Sequence, residues 1–179
     1  SGAANSMVSQ APVIKKIYFP RLIIPISAIL AALFDFCFSF LVFLGLLFWY
    51  SVEINWLSML VCLPLSVLIT FLATIGLGTF LAALNVKYRD FCHLIPFFIQ
   101  MLFFVSPVIY SVRIVESPFL QWIFKLNPLS GAIYLSRIPF SNEIIDWSIV
   151  AWSTLPTLIF FFIGIFTFRK TEAYFADLV

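Results

Sequence analysis

The sequence predicts an all-α, polytopic membrane protein, and three observations carry that prediction. The first is composition: 63% of the 179 residues are hydrophobic and 10% are charged, with a mean hydropathy of +1.12. Soluble domains hold roughly 45–50% apolar and about 25% charged residues, so a water-soluble fold could not hide this much apolar surface. The second is the length of the apolar runs, several of which reach the ~20 residues that cross a bilayer core. The third is that basic residues and tryptophans gather on opposite sides of those runs.

Four transmembrane helices are expected. Residues 22–50 carry one charge, Asp35, and are too short for two crossings. The polar turn SVEIN (51–55) follows, flanked by Trp49, Tyr50 and Trp56, whose amphipathic rings favour the headgroup layer. A second span covers about 57–84, interrupted only by Pro64. Near its end Thr74, Gly78 and Ala82 recur at four-residue spacing with Gly76 alongside, a pattern that lets helices approach closely in lipid. The turn NVKYRD (85–90) leads into a third span at about 91–110, containing Pro96 and Pro107. Proline is tolerated there because neighbouring helices can restore the lost backbone bonds. The last span is about 147–168, closed by Arg169 and Lys170.

Residues 111–146 differ in kind: amphipathic, charged and broken by proline. Phe119, Trp122, Ile123 and Leu126 fall at helical spacing, with Gln121 and Lys125 off that stripe. Asn127-Pro128 reads as an N-cap followed by proline in the first helical position, opening a short helix over about 129–137. Neither piece is long enough to span. The prediction is a re-entrant or interfacial helical hairpin at about 118–137.

The stretch before the first span, QAPVIKKIYFPRLIIP (10–25), sets Lys15, Lys16 and Arg21 around Tyr18 and Phe19. A basic, amphipathic collar of this kind is either a positive-inside anchor or a cytoplasmic element that touches a partner. Placing it inside puts Lys87 and Arg89, then Arg169 and Lys170, on the same side after four spans, seven of the ten basic residues. All five tryptophans (Trp49, Trp56, Trp122, Trp147 and Trp152) fall toward the other side. The opening SGAANSMVSQ has neither an initiator methionine nor an apolar core of signal length. The expectation is a single transmembrane domain over 1–179 that earlier spans precede.

Signatures of bond chemistry are scarce. There is no GxxxxGK[ST], GxSxG or HExxH, and the one histidine, His93, sits beside the NVKYRD turn. Cys37, Cys62 and Cys92 lie in or beside apolar runs and read as small hydrophobes, giving no metal site. A net charge of +2 does not point to nucleic acid. Asp35 stands out, since an ionisable group in mid-membrane marks function by default; it lines a conduit or bonds to a neighbouring helix. Phenylalanine is abundant, 23 residues. Such faces meet lipid or core, and they also offer low-specificity stacking for a sugar chain that must slide.

Taken in order, ANSMVSQAPVIKKIYFPRLIIP (4–25), GLGTFLAALNVKYRDF (76–91), IPFFIQMLFFVSPVIYS (95–111), LNPLSGAIYLSR (126–137) and FRKTEAYFADLV (168–179) resemble the membrane subunit of type-2 ABC exporters for polysaccharides and polyol phosphates. NVKYRD, with Lys87, Tyr88, Arg89 and Asp90, and the tail are the more specific pieces. The resemblance implies a six-span permease that homodimerises and binds two copies of an ABC ATPase, of which this chain is the C-terminal part. ATP and magnesium would sit on that partner, with no cofactor in this chain. Residues 10–21 would be the cytoplasmic coupling element, through Lys15, Lys16, Ile17, Tyr18, Phe19 and Arg21. Residues 111–146 would form an outer-face gate region, with Trp122, Asn127, Pro128 and Arg137. A lipid-linked glycan would pass between protomers in the bacterial cytoplasmic membrane, with the C-terminus cytoplasmic. The alternatives are a type-2 permease for a drug or small lipid, a membrane-embedded transferase acting on lipid-linked sugars, and a secondary transporter. The transferase needs clustered acidic or histidine residues, and the last needs an inverted repeat; neither is present in the sequence.

Overall fold

A computed structural model of the chain describes residues 1–10, 20–52, 54–88, 90–108, 118–141 and 145–172. The described residues form seven α-helices and one 3-10 turn, with no strand among them. Helix α1 is Gly2–Ser9, α2 Ile23–Trp49, α3 Trp56–Lys87, α4 Phe91–Val105, α5 Pro118–Lys125, α6 Ser130–Arg137 and α7 Trp147–Glu172; the 3-10 turn Ile138–Phe140 follows α6.

Three of these helices, α2, α3 and α7, are long and apolar enough to cross a membrane. Their 27, 32 and 26 residues correspond to about 40, 48 and 39 Å at 1.5 Å per residue, against a hydrocarbon core of ~30 Å. They meet the expected spans closely and run on where chemistry favours it. Helix α7 continues through Arg169 and Lys170 to Glu172, because cations are stabilised in a last turn.

The third expected span is shorter than read. Helix α4 holds 15 residues and stops at Val105, about 22 Å of helix. Pro107 supplies the reason, since proline disfavours helical backbone at the preceding residue, here Ser106. Residues 109 and 110 lie outside the described set.

Turn chemistry explains the other boundaries. Helix α2 ends on Ser51 at φ 49°, with the Ser51 amide donating to Phe48 O and the Val52 amide to Leu47 O, both at 3.3 Å. That paired closure is the usual left-handed helix stop, formed here without glycine. Helix α3 starts under Asn55, whose Oδ1 accepts the Ser58 amide at 3.2 Å.

The small residues of α3 pack closely as expected at Gly76, Gly78 and Ala82, with Thr74 the exception. Met59, Cys62, Ser66, Ile69, Ala73, Gly76, Thr79, Ala83 and Val86 are buried, three or four residues apart, the period of a left-handed packing seam. Thr74 is exposed. One seam therefore runs through Ala73 and Gly76, while Gly78 and Ala82 pack on a second side of the helix.

The chain divides into two compact units, one of Ser1–Ser39, Thr74–Gln100 and Phe160–Val179, the other of Phe40–Ala73 and Met101–Ile159. In the first unit α3 and α7 cross backbone to backbone. A Cβ on Gly164 would fall 2.1 Å from the Gly76 carbonyl oxygen, and one on Gly76 would fall 2.6 Å from the Phe161 nitrogen. Gly78 faces α1 and α2, where a Cβ would meet Ala3 at 3.2 Å and Ile29 at 3.4 Å. An apolar cluster of Met7, Ile24, Ala82, Ala83, Val86 and Phe168, with Leu22 against it, completes this core. In the second unit the core is Cys62, Ile69, Ala132, Leu135, Ile138 and Val150, with Leu65, Tyr134 and Ile145 around it.

Candidate functional site: the basic helix ends and the hairpin

Within the first unit, the apolar cluster brings together the start of α2 (Leu22, Ile24), the end of α3 (Ala82, Ala83, Val86) and the end of α7 (Phe168). The basic residues next to these positions, Arg21, Lys87, Arg169 and Lys170, therefore decorate one end of the unit. Arg21 is half-buried and its Nη1 donates to the Glu172 carbonyl oxygen at 2.7 Å. That bond covers a carbonyl left open at a helix C-terminus and suits the helix dipole. It also ties the chain directly after the 10–21 stretch to the last helix. Lys15, Lys16, Ile17, Tyr18 and Phe19 lie outside the described residues.

The NVKYRD turn is described except for Arg89. Lys87 closes α3, exposed, with Nζ 5.2 Å from the Tyr88 ring centroid, a cation–π arrangement. Tyr88 in turn packs on Phe91 with centroids 5.9 Å apart. Asp90 is exposed and its carbonyl accepts the His93 amide at 3.3 Å.

Asn85, the first residue of the turn motif, carries more structure than the charged residues after it. It is fully buried; its Nδ2 donates to Ala4 O at 3.0 Å and to Asn5 Oδ1 at 2.9 Å, holding α1 against α3. Its own Oδ1 has no partner among the described residues. The motif marked this residue only as turn punctuation, and the available signal was an amide placed next to a long apolar run.

Asp35 sits midway along α2 on an exposed surface, beside Phe34 and Phe38, whose rings stand edge to face at 5.0 Å. No described residue bonds to its carboxylate, so of the two readings of Asp35, pairing to a neighbouring helix is not made within the described chain.

In the second unit, two short helices meet at Asn127-Pro128 as expected, each eight residues, about 12 Å long and unable to span. The capping differs in detail. Asn127 Oδ1 accepts the Leu129 amide at 3.0 Å and the Asn127 carbonyl accepts Ser130 at 3.1 Å, so the asparagine caps a preliminary turn and the α-helix begins at Ser130. The turn is built into its surroundings. Asn127 Nδ2 donates to Ser106 Oγ at 3.1 Å, Thr157 Oγ1 to Pro128 O at 3.0 Å, Ser66 Oγ to Ala132 O at 2.8 Å, and Arg137 Nη2 to Val108 O.

The described part of the 119–126 apolar stripe is turned outward, the Phe119 side chain lying outside the described set. Trp122, Ile123 and Leu126 are exposed; Trp122 stands edge to face with Trp152 at 5.3 Å, and Lys125 Nζ is 5.9 Å from its centroid. Of the residues expected at an outer gate, Trp122 is thus on the surface while Asn127, Pro128 and Arg137 are engaged in bonds. Residues 111–117 and 142–144 of the expected gate region lie outside the described set.

Comparison with known families identifies the class. Residues 1–140 match the family model described as "ABC-2 type transporter", and the chain belongs to that family. It is a multi-pass membrane component of such a transporter. It is 27% identical, over all of its length and 70% of the relative's, to an O-antigen export system permease protein RfbA of Klebsiella pneumoniae. A second Klebsiella pneumoniae protein of the same name matches at 27%, again over the whole chain and 70% of the relative. One from Myxococcus xanthus is 26% identical over 84% of this chain and 60% of its own.

Proposed function

We propose that this chain is the membrane subunit of an ATP-driven exporter that moves a lipid-linked polysaccharide or polyol-phosphate polymer across the bacterial cytoplasmic membrane. The observation that carries this reading is the similarity of the whole chain to O-antigen export permeases. ATP and magnesium are held by a separate ABC ATPase, present in two copies, and the permease itself pairs as a homodimer. The basic end of the first unit faces the cytoplasm, which follows the positive-inside rule and puts the C-terminus inside.

The geometry supports a coupling route. Residues 10–21 contact the ATPase, and the chain that follows them is fastened at once to three long helices. Arg21 bonds the end of α7, and Leu22 and Ile24 pack with Val86 of α3 and Phe168 of α7. A push on the 10–21 stretch is thereby shared by α2, α3 and α7 and not absorbed by one helix. The cargo then moves outward past aromatic side chains, and this chain performs no bond chemistry.

Silencing the full-length gene in its source organism and labelling surface glycans tests the cargo. Loss of surface polymer with lipid-linked polymer accumulating inside is expected. Unchanged glycan with retained small lipids or drugs would discard the cargo, and failure to make polymer at all would favour a transferase. Reversing the charges of Lys15, Lys16 and Arg21 together should uncouple ATP hydrolysis from export while membrane insertion persists. Normal export by that variant would remove the coupling assignment.

A further inference from the structure

The hairpin turn is fastened in two different ways, and the contrast suggests which part of it moves. Helix α6 is held as part of the core. Leu135 and Ile138 are buried with Cys62, Ile69 and Val150. Gly131 lies so near α7 that a Cβ would fall 1.9 Å from Ser153 Oγ, and Ser66 of α3 bonds the Ala132 carbonyl. Displacing α6 means separating that whole interface, which interiors resist because they are close-packed.

The α4 end is held by fewer groups, the buried ring of Pro107 and two hydrogen bonds. No residue of α4 belongs to the buried apolar cluster of this unit among the described residues. Where α4 stops, Ser106 and Val108 flank the buried Pro107 and each accepts a side-chain donor from the hairpin: Asn127 Nδ2 to Ser106 Oγ at 3.1 Å, and Arg137 Nη2 to Val108 O. Asn127 and Ser106 are both buried. A single interhelical hydrogen bond in a membrane protein shifts a two-state equilibrium by roughly threefold to thirtyfold, a step that a partner's conformational change can drive.

We infer that the Asn127–Ser106 hydrogen bond is a latch holding the end of α4 against a fixed α6 platform, so that the path opens by release of the 106–108 segment and not by a swing of the hairpin. The inference rests on the permease reading but not on the identity of the cargo. Asn127 is a positioning residue, since it acts through Ser106. Its cap on the Leu129 amide keeps its Nδ2 aimed at Ser106.

The test uses the full-length transporter with its ATPase, reconstituted in liposomes without glycan, reading release of entrapped potassium and calcein. Ser106→Thr and Ser106→Val have the same shape and differ in one hydroxyl. The valine variant should leak about threefold or more faster than wild type, while the threonine variant stays at the wild-type rate. Asn127→Ser should add nothing further in the valine background. ATP hydrolysis on the same samples reports assembly. Asn127→Ser, which keeps a cap for Leu129 but is too short to reach Ser106, makes the same comparison from the other side and should leak like Ser106→Val. Equal leak from the valine and threonine variants, or additive effects of Ser106→Val and Asn127→Ser, would overturn the latch. Because no glycan is present, a failed cargo assignment leaves this result standing, and a failed latch leaves the cargo assignment untouched.

Discussion

Where α3 crosses α7 in the first unit, helices meet through what they lack; around the hairpin turn of the second, they meet through what they donate. Gly76 and Gly164 bring two backbones together without side chains between them. The buried hydroxyl nearby, Thr79, bonds only to carbonyls of its own helix, Ile75 O at 2.7 Å and Gly76 O at 3.2 Å. In the second unit the buried hydroxyls of Ser66 and Thr157 reach across to carbonyls of other elements, Ala132 O and Pro128 O. The difference follows from helix length. Long helices satisfy their own backbone, so small residues and close packing are enough. Two eight-residue helices and their turn leave carbonyls open at every end, and in a membrane these must be met by protein.

The largest test of that contrast is Gly164→Ala. The new methyl would meet Gly76 backbone atoms at 2.1 and 2.9 Å and Thr79 Oγ1 at 2.7 Å. Since backbone cannot be trimmed away, the helices must part. A loss of about 3 kcal/mol is expected, read as a lowered thermal midpoint in detergent that no single side-chain reduction restores. Gly131→Ala should be milder and reparable. Its methyl meets the Ser153 side chain, Oγ at 1.9 Å and Cβ at 3.1 Å, so about 1–3 kcal/mol is lost and Ser153→Gly should recover most of it. Failure of that rescue would mean that α6 and α7 are held apart by more than one side chain. The smallest effect separates two threonines that are both fully buried. Thr157→Val uncovers the Pro128 carbonyl and should lose about 1 kcal/mol. Thr79→Val breaks only bonds within its own helix and should stay within about 0.5 kcal/mol. Equal losses would erase the distinction between the two units.

The long helices were legible because crossing a bilayer demands length and greasiness, both of which are one-dimensional. The readings 22–50, 57–84 and 147–168 differ from the observed helices only at the ends, where Arg169 and Lys170 are absorbed into α7 and Asn85 into α3. What faces what was not legible. When every side of a helix is apolar, periodicity loses its contrast, so the sequence named Gly76, Gly78 and Ala82 as packing residues without saying which helix each would meet. Asn127 was recognised as a cap from its neighbour Pro128, a local signal. Its second bond goes to Ser106, twenty-one residues away, and nothing local announces it. Asn85 was read as part of a turn for the same reason: the groups that bury it belong to α1, eighty residues earlier.

The bond from Thr157 to the Pro128 carbonyl also has a meaning in time. A chain emerging from the ribosome can commit α2 and α3 to lipid one after the other, each on its own hydropathy. The hairpin cannot settle on that schedule, because one of its acceptors waits for a donor located twenty-nine residues downstream on the final helix. Until α7 enters the bilayer, the turn at Asn127-Pro128 has an unmet carbonyl and no finished place to rest. The hairpin is thus the last part to be completed during biosynthesis, and a nascent chain halted before α7 would hold its earlier helices with the turn at Asn127-Pro128 unfinished.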